Sequence, residues 1–231
     1  MTKRLLLLSS SRVHGGGFLD HAEAEIRDFL EDARSVLFVP YALKDRDGYA
    51  AVARQRFQSM GLRLDSLHEL PKPRHAVAAA EAVFVGGGNT FRLLKTLYEL
   101  DLLSWLRARA SEGMPYIGAS AGSNVAGPTI RTTNDMPIVQ PPSLEALGLI
   151  PFQINPHYID PDPGSTHMGE TREQRLREYL EENEVPVVAL REAAMIRMEA
   201  DVMTLEGSAG ARIFRRGQEP YEIQPGSLIE L

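Results

Sequence analysis

The chain has 231 residues, 43% hydrophobic and 24% charged, enough for one large domain with a substantial core, and is expected to form a single domain over 1–231. Its 31 acidic and 25 basic residues leave a formal charge of -6 with the signs interspersed, and the Arg212, Arg215 and Arg216 cluster is too small to make a basic stripe, so nucleic acid is excluded as a partner. Cysteine is absent, which removes disulfides, thiolate metal sites and a cysteine nucleophile together.

In chain order, Leu5-Leu6-Leu7-Leu8 is too short for the apolar core of a secretory leader and runs into Ser9-Ser10-Ser11, so residues 5–9 are read as a buried first strand. A helix is predicted over 19–30, a strand over 35–40, a helix over 49–60, strands over 62–67 and 82–85, a helix over 90–100 and a strand over 115–119. This βαβ alternation predicts an α/β fold with a mostly parallel, doubly wound sheet. A turn-rich stretch follows around Pro137, Pro141, Pro142, Pro151, Pro156, Pro161 and Pro163, then a helix over 172–182. Short strands over 187–190, 195–198, 202–205 and 211–214 are expected as antiparallel hairpins appended to the sheet. No apolar run approaches the ~20 residues that cross a bilayer, and the expectation is a cytoplasmic protein without a membrane partner.

Ligand sites in such sheets lie beyond the carboxyl ends of the strands. Two glycine-rich loops fall there: Gly86-Gly87-Gly88-Asn89-Thr90 and Gly118-Ala119-Ser120-Ala121-Gly122. The second follows an apolar strand and has the Gly-x-Ser-x-Gly pattern, in which small neighbours permit a sharp turn that lifts a serine oxygen clear of the backbone. Ser120 is therefore the candidate nucleophile, at the positive end of a helix starting within 121–125. Small residues here could also serve only close helix packing. The first loop can aim N–H groups at developing negative charge, and Gly88 and Ala121 are the candidate oxyanion donors. It lacks the Lys-Ser/Thr of a P-loop and a complete Gly-x-Gly-x-x-Gly.

A serine nucleophile needs a base. His21 falls in a predicted amphipathic helix, His68 and His75 in a charged connection, and His14 and His167 in glycine-containing loops. His157 follows the apolar segment 151–156 and should emerge at a strand end, which makes it the best base. Its carboxylate partner is either Asp135 or Glu192, both near strand or loop ends, and local reasoning does not choose between them.

Taken together, Gly86 to Phe91, Gly118 to Gly122, Asn134-Asp135-Met136-Pro137, Gln153-Ile154-Asn155-Pro156-His157 and Gly169-Glu170-Thr171-Arg172-Glu173-Gln174-Arg175 resemble, in order and over most of the chain, the aspartyl dipeptidase family called peptidase E. The resemblance implies a cytoplasmic serine peptidase with a class I glutamine amidotransferase-like sheet that releases N-terminal aspartate from Asp-Xaa dipeptides without metal or cofactor, and it implies a homodimer. The family pattern assigns Ser120, His157 and Asp135 as nucleophile, base and acid, whereas similarity to cyanophycinase points to Glu192. The loops over 158–168 and 191–194 depart from the pattern.

An aspartyl substrate needs a local carboxylate receptor in an acidic protein. Thr171 with Gln174 reads as a capping box that starts a helix at Arg172, placing Arg172 on the inward face with Leu176. Arg172 is the first candidate and Arg175 the second, unless either pairs with Glu173 or Glu178. Asn89 and Thr90 are candidate substrate contacts, and Glu170 a candidate for the free amine. The rival readings are a cyanophycinase-like or broader serine hydrolase, and a non-catalytic amidotransferase-like module that binds a ligand.

Overall fold

The computed structural model describes residues 2–164, 166 and 168–231; His167, assigned above to a loop, lies outside the described residues. The protein is α/β, with a seven-stranded sheet in the order β3-β2-β4-β5-β1-β8-β9 and a four-stranded sheet in the order β11-β10-β7-β6. The first five strands of the larger sheet, β1 (Arg4–Leu8), β2 (Ser35–Val39), β3 (Arg63–Ser66), β4 (Val83–Val85) and β5 (Tyr116–Ala119), run parallel. The four leucines of β1 are all fully buried, Leu5 and Leu7 toward one side of the sheet and Leu6 and Leu8 toward the other. A strand covered on both faces carries a continuous apolar run and no alternation.

Helices α1 (Glu23–Leu30) and α2 (Arg46–Ser59) cover the Leu6 and Leu8 face through Ile26, Phe29, Ala53 and Phe57. On the other face lie α3 (Pro73–Ala79), α4 (Thr90–Glu99), α5 (Leu103–Ser111) and the single turn α6 (Ala121–Asn124). The predicted 19–30 helix begins only at Glu23, after a 3-10 turn over Asp20–Ala22, because Leu19 is left-handed at φ 58°. Conversely α2 starts three residues before the predicted 49, where the Asp45 side chain accepts the Gly48 N–H as its cap. Helices α3 and α5 were not predicted. Each buries few positions, Val77 in one and Leu103, Leu106 and Ala110 in the other, so neither has a long periodic signature.

The C-terminal strands divide between the two sheets, correcting the expectation of hairpins on one. β8 (Ala194–Glu199) pairs antiparallel with β1 and carries β9 (Val202–Gly207) beside it. β7 (Val187–Leu190) and β10 (Ala211–Phe214) instead join β6 (Gln153–Asn155) and β11 (Tyr221–Ile223) in the second sheet. Val188 and Leu190 enter the central core, while Val187 and Ala189 face α7 (Arg172–Glu182) with its Leu176 and Leu180. The capping box of α7 is complete: Thr171 Oγ1 accepts the Gln174 N–H at 3.1 Å and Gln174 Oε1 accepts the Thr171 N–H at 2.7 Å.

Candidate active site

Ser120 sits where β5 turns into α6, at φ 51° and ψ -107°, a conformation that costs a non-glycine residue about 1–3 kcal/mol and persists only when the surroundings enforce it. Here they do. The Ser120 N–H donates to the Leu8 carbonyl at 3.0 Å, and its own carbonyl accepts the N–H groups of Ser123 and Asn124 at 3.0 and 2.9 Å. The Tyr116 hydroxyl donates to the Gly122 carbonyl at 2.7 Å, and the Ser123 hydroxyl lies 2.6 Å from the Leu8 carbonyl and 2.9 Å from that of Gly118. A Cβ on Gly122 would lie 2.0 Å from the Val85 carbonyl oxygen, so only glycine lets the turn sit against β4. Because α6 is a single turn of four residues, the positive field at Ser120 comes from the free N–H groups of that turn and not from a long helix dipole.

His157 follows β6 in the left-handed region at φ 53°. Its N–H donates to Ser9 Oγ at 2.9 Å, and the Ser9 hydroxyl in turn donates to the Leu190 carbonyl at 2.9 Å. This fixes the ring between two partners, with Nε2 2.9 Å from Ser120 Oγ and Nδ1 3.1 Å from Glu192 Oε1. The histidine and glutamate side chains are 39% and 52% exposed, so water screens part of their attraction.

Glu192 reaches the ring because the two loops flanking it are stapled together. Arg191 binds both oxygens of the Asp160 carboxylate at 2.7 and 2.8 Å, both oxygens of Glu222 at 2.8 and 3.0 Å, and lies 5.7 Å from the centre of the Tyr158 ring. The Asp160 carboxyl is held below its ordinary range by the Arg191 hydrogen bond, and Asp160 and Glu222 together raise the guanidinium. The stretches 158–160 and 191–192 thus meet each other in space.

Asp135 is directed elsewhere. Its carboxylate accepts the Thr90 N–H at 2.7 Å and the Thr90 hydroxyl at 2.6 Å, with the Thr133 hydroxyl 3.2 Å away. It caps the first turn of α4 and does not meet His157. The surrounding loop is also hooked to the strand end that bears His157: Asn134 Nδ2 donates to the Pro156 carbonyl at 2.6 Å, and Asn155 Nδ2 donates to Asn134 Oδ1 at 2.9 Å and the Thr132 carbonyl at 2.8 Å. Asp135→Ala is expected to lower stability by about 1–3 kcal/mol, by leaving the buried Thr90 donors without an acceptor. A urea midpoint equal to that of the parent would contradict this bracing role.

Thr90 is fully buried and cannot touch a ligand, contrary to its candidacy as a substrate contact. Asn89 is half-buried, with Oδ1 accepting the Arg92 N–H at 3.0 Å and Nδ2 donating to the Met136 carbonyl at 2.8 Å. The candidate oxyanion donors are Gly88 and Ala121. The Gly86-Gly87-Gly88 loop packs on Ser120, since a Cβ on Gly87 would fall 3.1 Å from Ser120 Cβ, and Gly88 adopts φ 132°. Neither the Gly88 nor the Ala121 N–H has a backbone acceptor among the described residues.

Arg172, Arg175 and Glu170 line a cavity of about 420 Å³ with Asp160 and Asp162. Arg175 Nε lies 3.4 Å from Glu170 Oε2, so these two partner each other. Arg172 has no ion-pair partner among the described residues and is half-buried. Burial is the main influence lowering its pKa, the neighbouring Arg175 adds to this, and the Asp135 charge opposes it. Glu173 pairs with Arg177 and Arg212 and leaves Arg172 alone. A desolvated, unpaired guanidinium at a helix start is equipped to receive a carboxylate.

Among the other described histidines, His75 is exposed, while burial lowers the pKa of half-buried His21 against the opposing charges of Glu25, Asp20 and Glu192. Among the described residues one trio, Asp47, His68 and Glu69, has metal-ligand atoms within 4.8 Å of one another. Its groups are already engaged, His68 Nε2 2.9 Å from Asp47 and Arg54 2.7 Å from Glu69. No helix of the described residues is long and apolar enough to cross a membrane.

The fold matches that of a peptidase from an acI-B1 actinobacterium, with a TM-score of 0.74 and 18% identity covering 100% of this chain and 98% of that one. In sequence, the chain is 55% identical over 228 residues to a Streptomyces coelicolor protein named "Peptidase E", covering 98% of this chain and 94% of that one. It is 48% identical over 226 residues to a Drosophila melanogaster protein named "Probable alpha-aspartyl dipeptidase", covering 96% and 94%. A Shewanella amazonensis "Peptidase E" is 44% identical over 236 residues, covering 100% of both chains. Residues 5–205, which include Ser120, His157 and Glu192, match the family model described as Peptidase family S51, and the chain belongs to that family of peptidases.

Proposed function

We propose that the protein is a serine exopeptidase that hydrolyses Asp-Xaa dipeptides in the cytoplasm through a covalent aspartyl-enzyme. The observation that carries this reading is the continuous contact from Ser120 Oγ to His157 Nε2 at 2.9 Å and from His157 Nδ1 to Glu192 Oε1 at 3.1 Å, at a strained strand-to-helix turn. Glu192, rather than Asp135, is the acid of this triad. It accepts a hydrogen bond from the Nδ1 N–H, leaves Nε2 free to take the proton of Ser120, and stabilises the imidazolium that results.

The serine oxygen then attacks the peptide carbonyl, and the Gly88 and Ala121 N–H groups receive the negative charge that forms on its oxygen. One such donor contributes ~100-fold to 1000-fold in turnover. His157 returns the proton to the departing amine as the C–N bond breaks. Water, deprotonated by the same ring, cleaves the ester and releases aspartate. The unpaired Arg172 supports selection of the aspartyl carboxylate, and the Drosophila relative's name points to the same substrate class.

The direct test is release of leucine from Asp-Leu compared with Asn-Leu, an isosteric neutral competitor. Asp-Leu is expected to be cleaved at least ~10-fold more efficiently, the value of one charge-assisted hydrogen bond. Arg172→Ala is expected to raise KM for Asp-Leu by about 10- to 100-fold and to move Asn-Leu much less. Equal losses on both substrates would make Arg172 a structural residue, and binding without cleavage of Asp-Leu would favour the ligand-binding module.

A further inference from the structure

Beside the glycine loop lies a second cavity, of about 400 Å³, that the proposed aspartyl recognition does not use. Arg12, Phe18, Leu43, Tyr49 and Val52 line it beside the glycine loop. Leu43 and Val52 are large apolar side chains left 37% and 39% exposed in it. The glycine loop packs between them and Ser120: a Cβ on Gly88 would lie 2.7 Å from Leu43, and one on Gly87 3.1 Å from Ser120 Cβ.

The cavity wall also continues from an element that holds the His157 ring. His157 must hand its proton to the departing amine, so the leaving residue projects toward the elements that hold that ring. One of these is the end of β1, where Ser9 accepts the His157 N–H, and the chain enters the cavity wall two residues later at Ser11 and Arg12. The unpaired Arg172 lies toward Asp135, whose carboxylate meets Thr90 beyond the glycines.

We propose that this cavity is the subsite for the residue released by hydrolysis, with the Arg12 guanidinium reading its free α-carboxylate and Phe18, Leu43 and Val52 receiving an apolar side chain. The assignment rests on the hydrolytic reading above and goes beyond it by naming what selects the leaving residue. Arg12 is exposed at the cavity wall and has no ion-pair partner among the described residues, so its guanidinium is available to an incoming carboxylate. Asp45 is the one acidic group in the wall. Its carboxylate accepts the Gly48 N–H at 2.9 Å as the cap of α2 and disfavours an acidic leaving side chain. A carboxylate receptor at this position restricts the enzyme to dipeptides, because a longer peptide presents a neutral amide there.

The test compares kcat/KM for Asp-Leu and for Asp-Leu amide in the parent, Arg12→Ala and Arg12→Lys. The parent is expected to favour the free acid by about 10-fold or more, Arg12→Ala to bring the two substrates level by losing Asp-Leu selectively, and Arg12→Lys to restore part of the preference. A ratio unchanged by Arg12→Ala, or a parent indifferent to the amide, with both substrates cleaved, overturns the subsite alone. Cleavage of neither substrate by the parent overturns the hydrolytic reading and the subsite with it.

Discussion

Ser120→Ala is expected to reduce Asp-Leu turnover by on the order of 10⁴-fold or more while leaving the fold intact. Among the described residues the side-chain oxygen makes one hydrogen bond, to His157 Nε2, and Ser120 is half-buried at the turn. Removing it leaves no deeply buried group unpaired, so stability should move by no more than about 0.5 kcal/mol. The strain of φ 51° is the same for alanine as for serine, and the bonds that enforce it come from Tyr116, Ser123 and the backbone. Turnover measured by leucine release, alongside the urea midpoint, separates the outcomes. Activity close to that of the parent would mean that another group attacks the substrate, and lost activity with a collapsed midpoint would make Ser120 a folding residue.

Glu192→Gln is expected to lower kcat by about 100-fold to 10⁴-fold with a small change in KM. A glutamine of the same shape can reach Nδ1, but it can offer an N–H there and so favour the tautomer that puts the proton on Nε2, where it blocks acceptance of the Ser120 proton. It also withdraws the negative charge that stabilises the imidazolium. Because Glu192 is 52% exposed, water can replace part of that stabilisation, which argues for the lower end of the range. Asp135→Asn is the informative comparison. Its oxygen can still accept the Thr90 N–H, so it should cost less in kcat than Glu192→Gln, and the reverse order would restore Asp135 as the acid.

How much of this was legible in the sequence depended on the range of the interactions involved. The run from Leu5 to Leu8 marked a strand covered on both faces, and Thr171 with Gln174 marked the start of α7, because burial pattern and capping act within a few residues. Helix α3 was missed although Pro73 stands at its first turn, since seven residues with one buried position carry no periodic signal. β7 and β10 look like any short strands locally. Their membership of a second sheet is set by pairing with β6, more than thirty residues before β7.

The chain by itself singled out Ser120 as the candidate nucleophile. Gly118 and Gly122 permit the turn, Pro115 to Ala119 supplies the strand, and no cysteine competes as nucleophile, all of which are properties of a contiguous segment. Only the tertiary structure separates Asp135 from Glu192, because both carboxylates lie near strand or loop ends and differ in what approaches them. Asp135 meets the first turn of α4, 45 residues away, and Thr90 there takes its oxygens. Glu192 is brought to His157 across 35 residues by the Arg191 staple to Asp160 and Glu222. A hydrogen bond acts over about 3 Å of space whatever the separation along the chain, so the partner of an imidazole follows from the fold and not from neighbouring letters.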